Sequence, residues 1–233
     1  MARLTRVVVP GIPHHITQRG NGGARTFFND DDYAFYRDLL GERCRAAGVE
    51  VWAWVLMPNH VHMILVPHDT DGLRDALSKV HRRHAGRIHA RQKETGHFWQ
   101  SRFGAVAMDE VHLAAAARYV ALNPERARLV ARAQDWRWSS VHVHLNGGSD
   151  GVTTPGPLRD RFPRFAELLD NGALDARHTQ LRQAESISRP LGAASFVAAI
   201  EAYTGRLLHR RTPGPKPDAM RNAAGGAISE PSA

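Results

Sequence analysis

Two short segments contain the residue types that a metal-dependent strand-cutting site needs. His60 and His62 are two residues apart in an apolar, β-prone run, so on a strand their side chains point to the same face. Tyr119 and Asn123 are four residues apart in a helical pattern, so they share one face of a helix. Two imidazoles, an amide oxygen and a phenol can form a metal site with a nucleophile beside it, which suits cutting and rejoining a nucleic acid strand.

Each pair also has a purely structural interpretation. Paired histidines can belong to a protein core, Tyr119 could be a half-buried core aromatic, and Asn123 could cap a helix that Pro124 ends. Two imidazoles on one face of a buried strand are nevertheless costly unless a partner satisfies them. The two pairs together therefore favour a metal site more than either pair does alone.

The charge balance of the chain indicates a polyanionic partner. Its 233 residues include 31 Lys and Arg against 23 Asp and Glu, which gives a formal net charge of +8 and a pI of about 10.5. A chain this basic is expected to meet nucleic acid or an anionic membrane surface. Hydrophobic residues make up 42% of the chain, which is enough for a core.

Nothing in the sequence predicts export or membrane insertion. No run approaches the roughly 20 apolar residues of a transmembrane helix, and the apolar part of the basic N-terminal segment is too short for a signal peptide. The single cysteine, Cys44, excludes an intramolecular disulfide and lies on an apolar stripe, which predicts a core position. We expect a cytoplasmic, nucleoid-associated protein with no membrane partner.

The order of elements in the first half predicts an α+β fold. Predicted strands cover residues 14–19, 49–57, 60–66 and 98–108, and predicted helices cover 30–47, 73–93 and 109–122, the last stopped by Pro124. This β-α-β-β-α-β order followed by a helix is the ferredoxin-like split βαβ pattern, an antiparallel sheet with helices on one face. The fold class predicted is therefore α+β, followed by a helical, basic C-terminal extension.

The second half carries weaker signals. Residues 146–157 are rich in Gly, Ser, Thr and Pro and predict a loop or linker. Short helices are predicted at 161–169 and 193–203, before a basic, Pro- and Gly-rich tail. We therefore expect a catalytic domain over 1–145, a linker with short helices over 146–192, and a basic helical segment with a disordered tail over 193–233.

Several segments together resemble a known family. The run 60–62 (HVH) resembles the HUH motif, histidine-hydrophobic-histidine, and the run 119–127 (YVALNPERA) resembles the tyrosine helix of single-tyrosine transposases. The match is closest to REP-associated tyrosine transposases and related IS200-like proteins. Further matching pieces, in the right order, are 17–21 (TQRGN), 98–103 (FWQSRF) and 136–140 (WRWSS). The resemblance covers roughly residues 3–145.

The resemblance implies a metal-dependent DNA transposase. By position, His60 and His62 are expected to be metal ligands, Asn123 a third ligand, and Tyr119 the nucleophile that forms a covalent 5′-phosphotyrosine intermediate. The cofactor implied is a divalent metal ion, Mg²⁺ or Mn²⁺, and mixed nitrogen and oxygen ligands favour Mn²⁺ somewhat. The substrate implied is single-stranded or hairpin DNA, at REP-type palindromic repeats. His14-His15 departs from relatives, which often carry tyrosine followed by histidine.

DNA contacts are expected from three regions. A basic helix over 81–93 could track phosphates, residues around Trp99 could stack an unpaired base, and the basic tail could make a second contact. Solvated helix faces and core packing of Trp99 are the structural alternatives. The DNA-binding candidates are Arg82, Arg83, Arg87, Arg91, Trp99, Arg102, Arg126, Arg210 and Arg211.

Two other functions remain open at this level. The chain could hold hairpin DNA without cutting it, although a pure binder would not need the full set of site residues. It could also be a His-x-His metal phosphoesterase that acts through activated water instead of Tyr119. The sequence leaves monomer and homodimer equally open.

Overall fold

The computed structural model describes residues 6–174, 176–187 and 189–208. Four strands form one antiparallel sheet in the spatial order β2-β3-β1-β4. The strands are β1 His14–Arg19, β2 Val49–Met57, β3 His60–Pro67 and β4 Gly104–Ala107. The chain runs from β1 to β2 and from β3 to β4, and in each case one other strand lies between the two in the sheet. This connectivity confirms the predicted ferredoxin-like α+β fold.

Eight α-helices lie within the described part of the chain. In order they are α1 Asp30–Ala46, α2 Gly72–Gln92, α3 Glu110–Arg126, α4 Val141–Asn146, α5 Gly156–Arg161, α6 Phe165–Asp170, α7 Ala176–Ile187 and α8 Ala194–Thr204. Short 3₁₀ turns occur at Asn21–Gly23, Ala133–Asp135 and Gly172–Leu174. None of the helices in these residues is long and apolar enough to cross a membrane.

The sheet is covered on both faces, which explains why β2 and β3 are almost continuously apolar. Helices α1 and α2 pack on one face, as predicted, against Val61, Met63 and Leu65 of β3. Helix α3 packs on the opposite face, against Ile64 and Val66. Because side chains alternate along a strand, His60 and His62 lie on the α3 side.

Capping side chains fix where α1 and α3 begin. The Asn29 side chain accepts a hydrogen bond from the Asp32 backbone N–H, and the Asp109 side chain accepts one from the His112 backbone N–H. Such caps satisfy backbone donors that a helix start would otherwise leave unpaired. Asp109 also accepts from the Ala193 backbone N–H, so the same carboxylate joins the start of α3 to the start of α8.

Two predicted boundaries in the first half are wrong. The strand predicted over 98–108 is reduced to β4, preceded by an isolated bridge between Trp99 and Gly20. The Trp99 indole N–H donates to the His81 carbonyl oxygen of α2 at 3.0 Å. Helix α3 does not stop at Leu122 but continues through Pro124 to Arg126. Proline removes one backbone donor from the helix. The helix tolerates this loss because it ends only two residues later, at Arg126.

The second half packs against α3 more extensively than its sequence suggests. Its apolar side chains join the same core cluster as α3 and the α3 face of the sheet: Leu158, Phe165, Leu168, Leu181 and Ala184. The helix predicted over 161–169 is confirmed only in its second half, because α5 ends at Arg161 and α6 begins at Phe165. Helices α4 and α7 fall in stretches for which no helix is predicted. The predicted helix over 193–203 corresponds to α8, and Cys44 is buried in the core as predicted.

Candidate active site

The tight turn between β2 and β3 holds His60 in a fixed orientation. The Pro58 carbonyl oxygen accepts from the Thr26 and Phe27 backbone N–H groups at 2.8 and 3.1 Å. The Asn59 side-chain amide donates to the Gly23 carbonyl oxygen at 3.0 Å, which turns its oxygen toward His60 Nδ1 at 2.6 Å. An amide oxygen only accepts hydrogen bonds, so Nδ1 of His60 carries the proton and Nε2 presents the lone pair.

A third histidine stands behind His62. His15 of β1 is fully buried, its Nε2 lies 3.1 Å from Nδ1 of His62, and the two rings stack with centroids 5.2 Å apart. The His60 and His62 rings meet edge to face at 4.9 Å. The β1–β3 pairing therefore brings three imidazoles into contact on the α3 side of the sheet.

Helix α3 places Tyr119 and Asn123 directly opposite these histidines. The Tyr119 ring centroid lies 5.1 Å from that of His62 and 5.9 Å from that of His15, both edge to face. The Asn123 side chain hydrogen-bonds to His60. The alanines at 115–117 of α3 are fully buried, and these small side chains let the helix approach the sheet closely. Asn123 is thus inside the helix, and the alternative of a helix cap is wrong.

These side chains open onto one cleft of about 850 Å³. The described residues that line it include Arg19, Arg102, Arg126 and Arg182 but none that is acidic. Four guanidinium groups around one cavity favour an anionic ligand. A volume in the range of small-ligand sites, about 300–1,000 Å³, accommodates a short stretch of unpaired strand.

Burial keeps the imidazoles neutral. Loss of hydration on burial lowers the pKa of His15 and of His60 to about 4. Burial, and then the neighbouring His15 and His60, lower the pKa of His62 well below its ordinary value. Arg19 and Arg182 lower the pKa of both His60 and His62 further, while the hydrogen bond to Asn123 opposes this for His60. Metal ligation requires neutral imidazole, so these shifts suit it.

The side chains that could bind a divalent ion fit it by the type of their donor atoms and by their orientation. Within the described ranges no group of three or more His, Cys, Asp or Glu side chains could hold a metal. His60, His62 and Asn123 would instead supply two nitrogens and one amide oxygen, a set that suits Mn²⁺ better than Mg²⁺. The Asn59 oxygen on His60 Nδ1 is the kind of outer partner that metal-bound histidines have. The residues present therefore fit such an ion.

The predicted DNA-binding residues fall into separate groups. Arg102 and Arg126 line the cleft beside Tyr119. Arg82, Arg83 and Arg87 are exposed on α2, across the sheet from α3. Arg210 and Arg211 lie outside the described residues.

Arg91 and Trp99 of the predicted set are held by contacts on the α1–α2 side of the protein. Arg91 forms a two-pronged ion pair with the buried Asp32 of α1, with N···O distances of 2.5 and 2.7 Å. Trp99 packs beside the α1–α2 core, and its indole N–H is bonded to the His81 carbonyl oxygen. Both contacts tie α2 to its surroundings, and they lower the expectation that either side chain contacts DNA.

Sequence reasoning missed three residues that contact or line the site. His15 was noted only as the second residue of the pair His14-His15, which stands where relatives often carry tyrosine followed by histidine, and Arg19 only as part of a matching run. Arg182 of α7 lies in a stretch with no predicted element, yet its Nε is 3.4 Å from the Tyr119 hydroxyl oxygen. The available signal for His15 was the alternation of β1, which puts residue 15 on one face with Thr17 and Arg19.

The fold and this cleft together define a ferredoxin-like α+β protein with a histidine pair facing a helical tyrosine. Residues 16–123 match the family model described as "Transposase IS200 like". This matched segment is therefore similar to IS200-like transposases, in agreement with the family predicted from the sequence. A search of curated proteins found no matching sequence.

The solved structures that match this chain include two proteins described as transposases. The first is a REP-associated tyrosine transposase bound to a REP hairpin, with a TM-score of 0.51 and 21% identity over 65% of this chain and 90% of that one. At this identity the likeness establishes the fold. The second, a Deinococcus radiodurans protein assigned as a transposase, has a TM-score of 0.36 and 17% identity over 51% of this chain and 95% of that one.

Proposed function

We propose that this transposase cleaves and rejoins single-stranded DNA through a covalent 5′-phosphotyrosine formed on Tyr119. The observation that carries the proposal is the position of the Tyr119 ring, 5.1 Å from the His62 ring and in one cleft with His60 and Asn123. A nucleophile beside a metal-binding set is what phosphoryl transfer to a tyrosine requires. We propose that residues 1–145 carry the nucleophile and the metal ligands, while Arg182 of α7 lines the same cleft.

His60, His62 and Asn123 would hold the divalent ion, Mn²⁺ or Mg²⁺. When bound, such an ion stabilises the negative charge that grows on a phosphate during transfer. The hydrogen bond from His60 Nδ1 to Asn59 orients Nε2 as a donor. His15, bonded to Nδ1 of His62, would fix that ring in the same way.

The strand-cutting step follows from the position of the phenol. The Tyr119 oxygen would attack the phosphorus, forming a P–O bond to the tyrosine while the bond to the 3′-oxygen breaks. The phenol proton leaves to water, and the 3′-oxygen takes up a proton from water. One phosphodiester replaces another, so no ATP is consumed. The free 3′-hydroxyl can later attack the phosphotyrosine and reseal a strand by the reverse route.

The basic groups support DNA as the substrate. Arg19, Arg102 and Arg126 line the cleft, where they would hold the phosphates that flank the cleaved bond. Arg82 and Arg83, exposed on α2, would contact a more distant phosphate backbone. Because a similarly folded protein is described as bound to a REP hairpin, we propose hairpin DNA of REP-type repeats as the target. We expect this activity in the cytoplasm, at the nucleoid.

A labelled-substrate assay tests the proposal. Wild type and Tyr119→Phe are incubated with labelled single-stranded hairpin oligonucleotides and Mn²⁺ or Mg²⁺, then run on a denaturing protein gel. We expect label to remain with wild-type protein and to be absent from Tyr119→Phe. Tyr203→Phe is the matched control, because Tyr203 is 60% exposed on α8 and should retain the label.

Each alternative gives a different result in the same assay. Cleavage that persists in Tyr119→Phe would mean a metal phosphoesterase that uses activated water. Tight binding without cleavage of any hairpin would mean a DNA-binding protein that does not cut. One chain supplies all four proposed site residues, so a monomer suffices for the chemistry; light scattering with and without DNA distinguishes monomer from homodimer.

A further inference from the structure

Helix α7 lies outside the segment that matches the transposase family, yet it covers the candidate nucleophile. The His178 ring of α7 is buried, and its centroid lies 5.1 Å from that of Tyr119. Leu181 and Ala184 of the same helix are buried in the core cluster that contains α3. The docking of α7 on α3 is therefore held by apolar packing as well as by polar contacts.

Docking of α7 brings Arg182 to the phenol. Its Nε lies 3.4 Å from the Tyr119 hydroxyl oxygen, and its guanidinium carbon lies 5.8 Å from the Tyr119 ring centroid. Arg126, on α3 itself, places its guanidinium carbon 5.6 Å from the same ring and bonds to Nδ1 of His178. Two guanidinium groups from different helices thus flank one tyrosine.

Arg182 also faces the cleft in which the histidine pair lies. It is among the lining residues of that cleft, and its positive charge is close enough to lower the pKa of both His60 and His62. A side chain that contacts the nucleophile and lines the cleft of the histidines is within reach of a phosphate bound in that cleft.

Building on the proposed function, we propose that Arg182 is a catalytic residue that binds the scissile phosphate and stabilises charge in the transfer reaction. When the Tyr119 oxygen bonds to phosphorus and the 3′-oxygen leaves, negative charge is spread over the non-bridging oxygens and the two end oxygens. A guanidinium is always charged and can donate two parallel N–H bonds to a phosphate. In resealing, the same group stabilises the departing phenolate.

The purely structural explanation is that Arg182 only helps α7 to dock. The two roles differ in what a substitution changes. If Arg182 only helped α7 to dock, its substitution would lower folding stability and DNA affinity together with activity. A catalytic arginine would alter the rate of the chemical step at saturating protein, with stability and hairpin affinity nearly constant.

The test compares three variants with wild type in single-turnover cleavage of a labelled hairpin oligonucleotide. Arg182→Gln removes the charge but keeps length and polarity, and Arg182→Lys keeps the charge but removes the two-pronged donor. Arg177→Ala is the control, because it removes one arginine from the same helix at a position that does not line the cleft. Hairpin dissociation constants and thermal unfolding midpoints are measured for each.

We expect Arg182→Gln to slow cleavage and adduct formation by about 10²–10³-fold, the usual loss for one transition-state donor, with hairpin affinity changed less than about threefold. Arg182→Lys should recover only part of the rate, and Arg177→Ala should match wild type. Wild-type cleavage rates in Arg182→Gln, or a loss matched by equal losses in binding and melting temperature, would overturn the role of Arg182 alone. Absence of a tyrosine adduct in wild type would instead overturn the proposed function and, with it, this role.

Discussion

The contact between His15 and His62 gives the sharpest prediction about the proposed metal site. We expect His15→Phe to weaken binding of Mn²⁺ while leaving the fold in place. Phenylalanine keeps a planar ring that can stack on His62, but it removes the nitrogen that lies 3.1 Å from His62 Nδ1. His62 then loses the partner that fixes both its tautomer and its ring orientation.

The magnitude follows from the burial of this pair. Both rings are buried, His15 completely and His62 to 4% exposure, so water cannot replace the lost hydrogen bond. Loss of an outer partner typically costs 10–100-fold in metal affinity, or about 1.4–2.8 kcal/mol at roughly 1.4 kcal/mol per factor of ten. The same substitution should lower the free energy of unfolding by about 1–3 kcal/mol, the cost of leaving a buried polar atom unpaired.

The assay is titration calorimetry with Mn²⁺, paired with urea unfolding. His14→Phe is the matched control, because His14 is the neighbouring buried histidine, but it bonds to the Ile12 carbonyl oxygen and the Val9 backbone N–H. We expect His14→Phe to lose stability and to keep its Mn²⁺ affinity. Unchanged Mn²⁺ affinity in His15→Phe, or equal losses in both variants, would refute the orienting role. No Mn²⁺ binding in wild type would refute the metal site itself.

Two further predictions concern stability away from the cleft. Burial lowers the pKa of His81 to about 3 and of His84 to about 4 from an ordinary 6.5, so the unfolded chain takes up protons first as the pH falls. The free energy of unfolding should therefore be constant above about pH 6.5 and fall by several kcal/mol toward pH 4. Urea midpoints that stay constant between these two pH values would contradict this prediction. Arg91→Gln should lower the free energy of unfolding by about 1–3 kcal/mol, because it leaves the buried Asp32 carboxylate without its cation. Hairpin affinity, measured by fluorescence anisotropy, should stay near wild type. A variant that keeps wild-type stability but binds DNA tenfold more weakly would show that Arg91 contacts DNA.

Local pattern was enough to predict most of the first half of the fold. Strands β1, β2 and β3 and helices α1 and α2 have bounds within a residue or so of those predicted, since period-two and period-3.6 patterns report directly on backbone geometry. The face shared by His60 and His62 and the face shared by Tyr119 and Asn123 follow from the same periodicities. The sequence could therefore indicate which residues share a face, and the family resemblance indicated that the two faces meet.

Tertiary contacts decided what periodicity could not. Helix α7 is polar over much of its length, and its short apolar stripe becomes a docking surface only because α3 offers a matching face; this is why Arg182 escaped prediction. The contact between His15 and His62 joins residues 47 apart, and the alternation of β1 indicates the face on which His15 lies but not the residue that it contacts. Spacing along one element is set by backbone geometry that each residue carries with it, whereas the approach of two elements depends on how all the side chains between them pack.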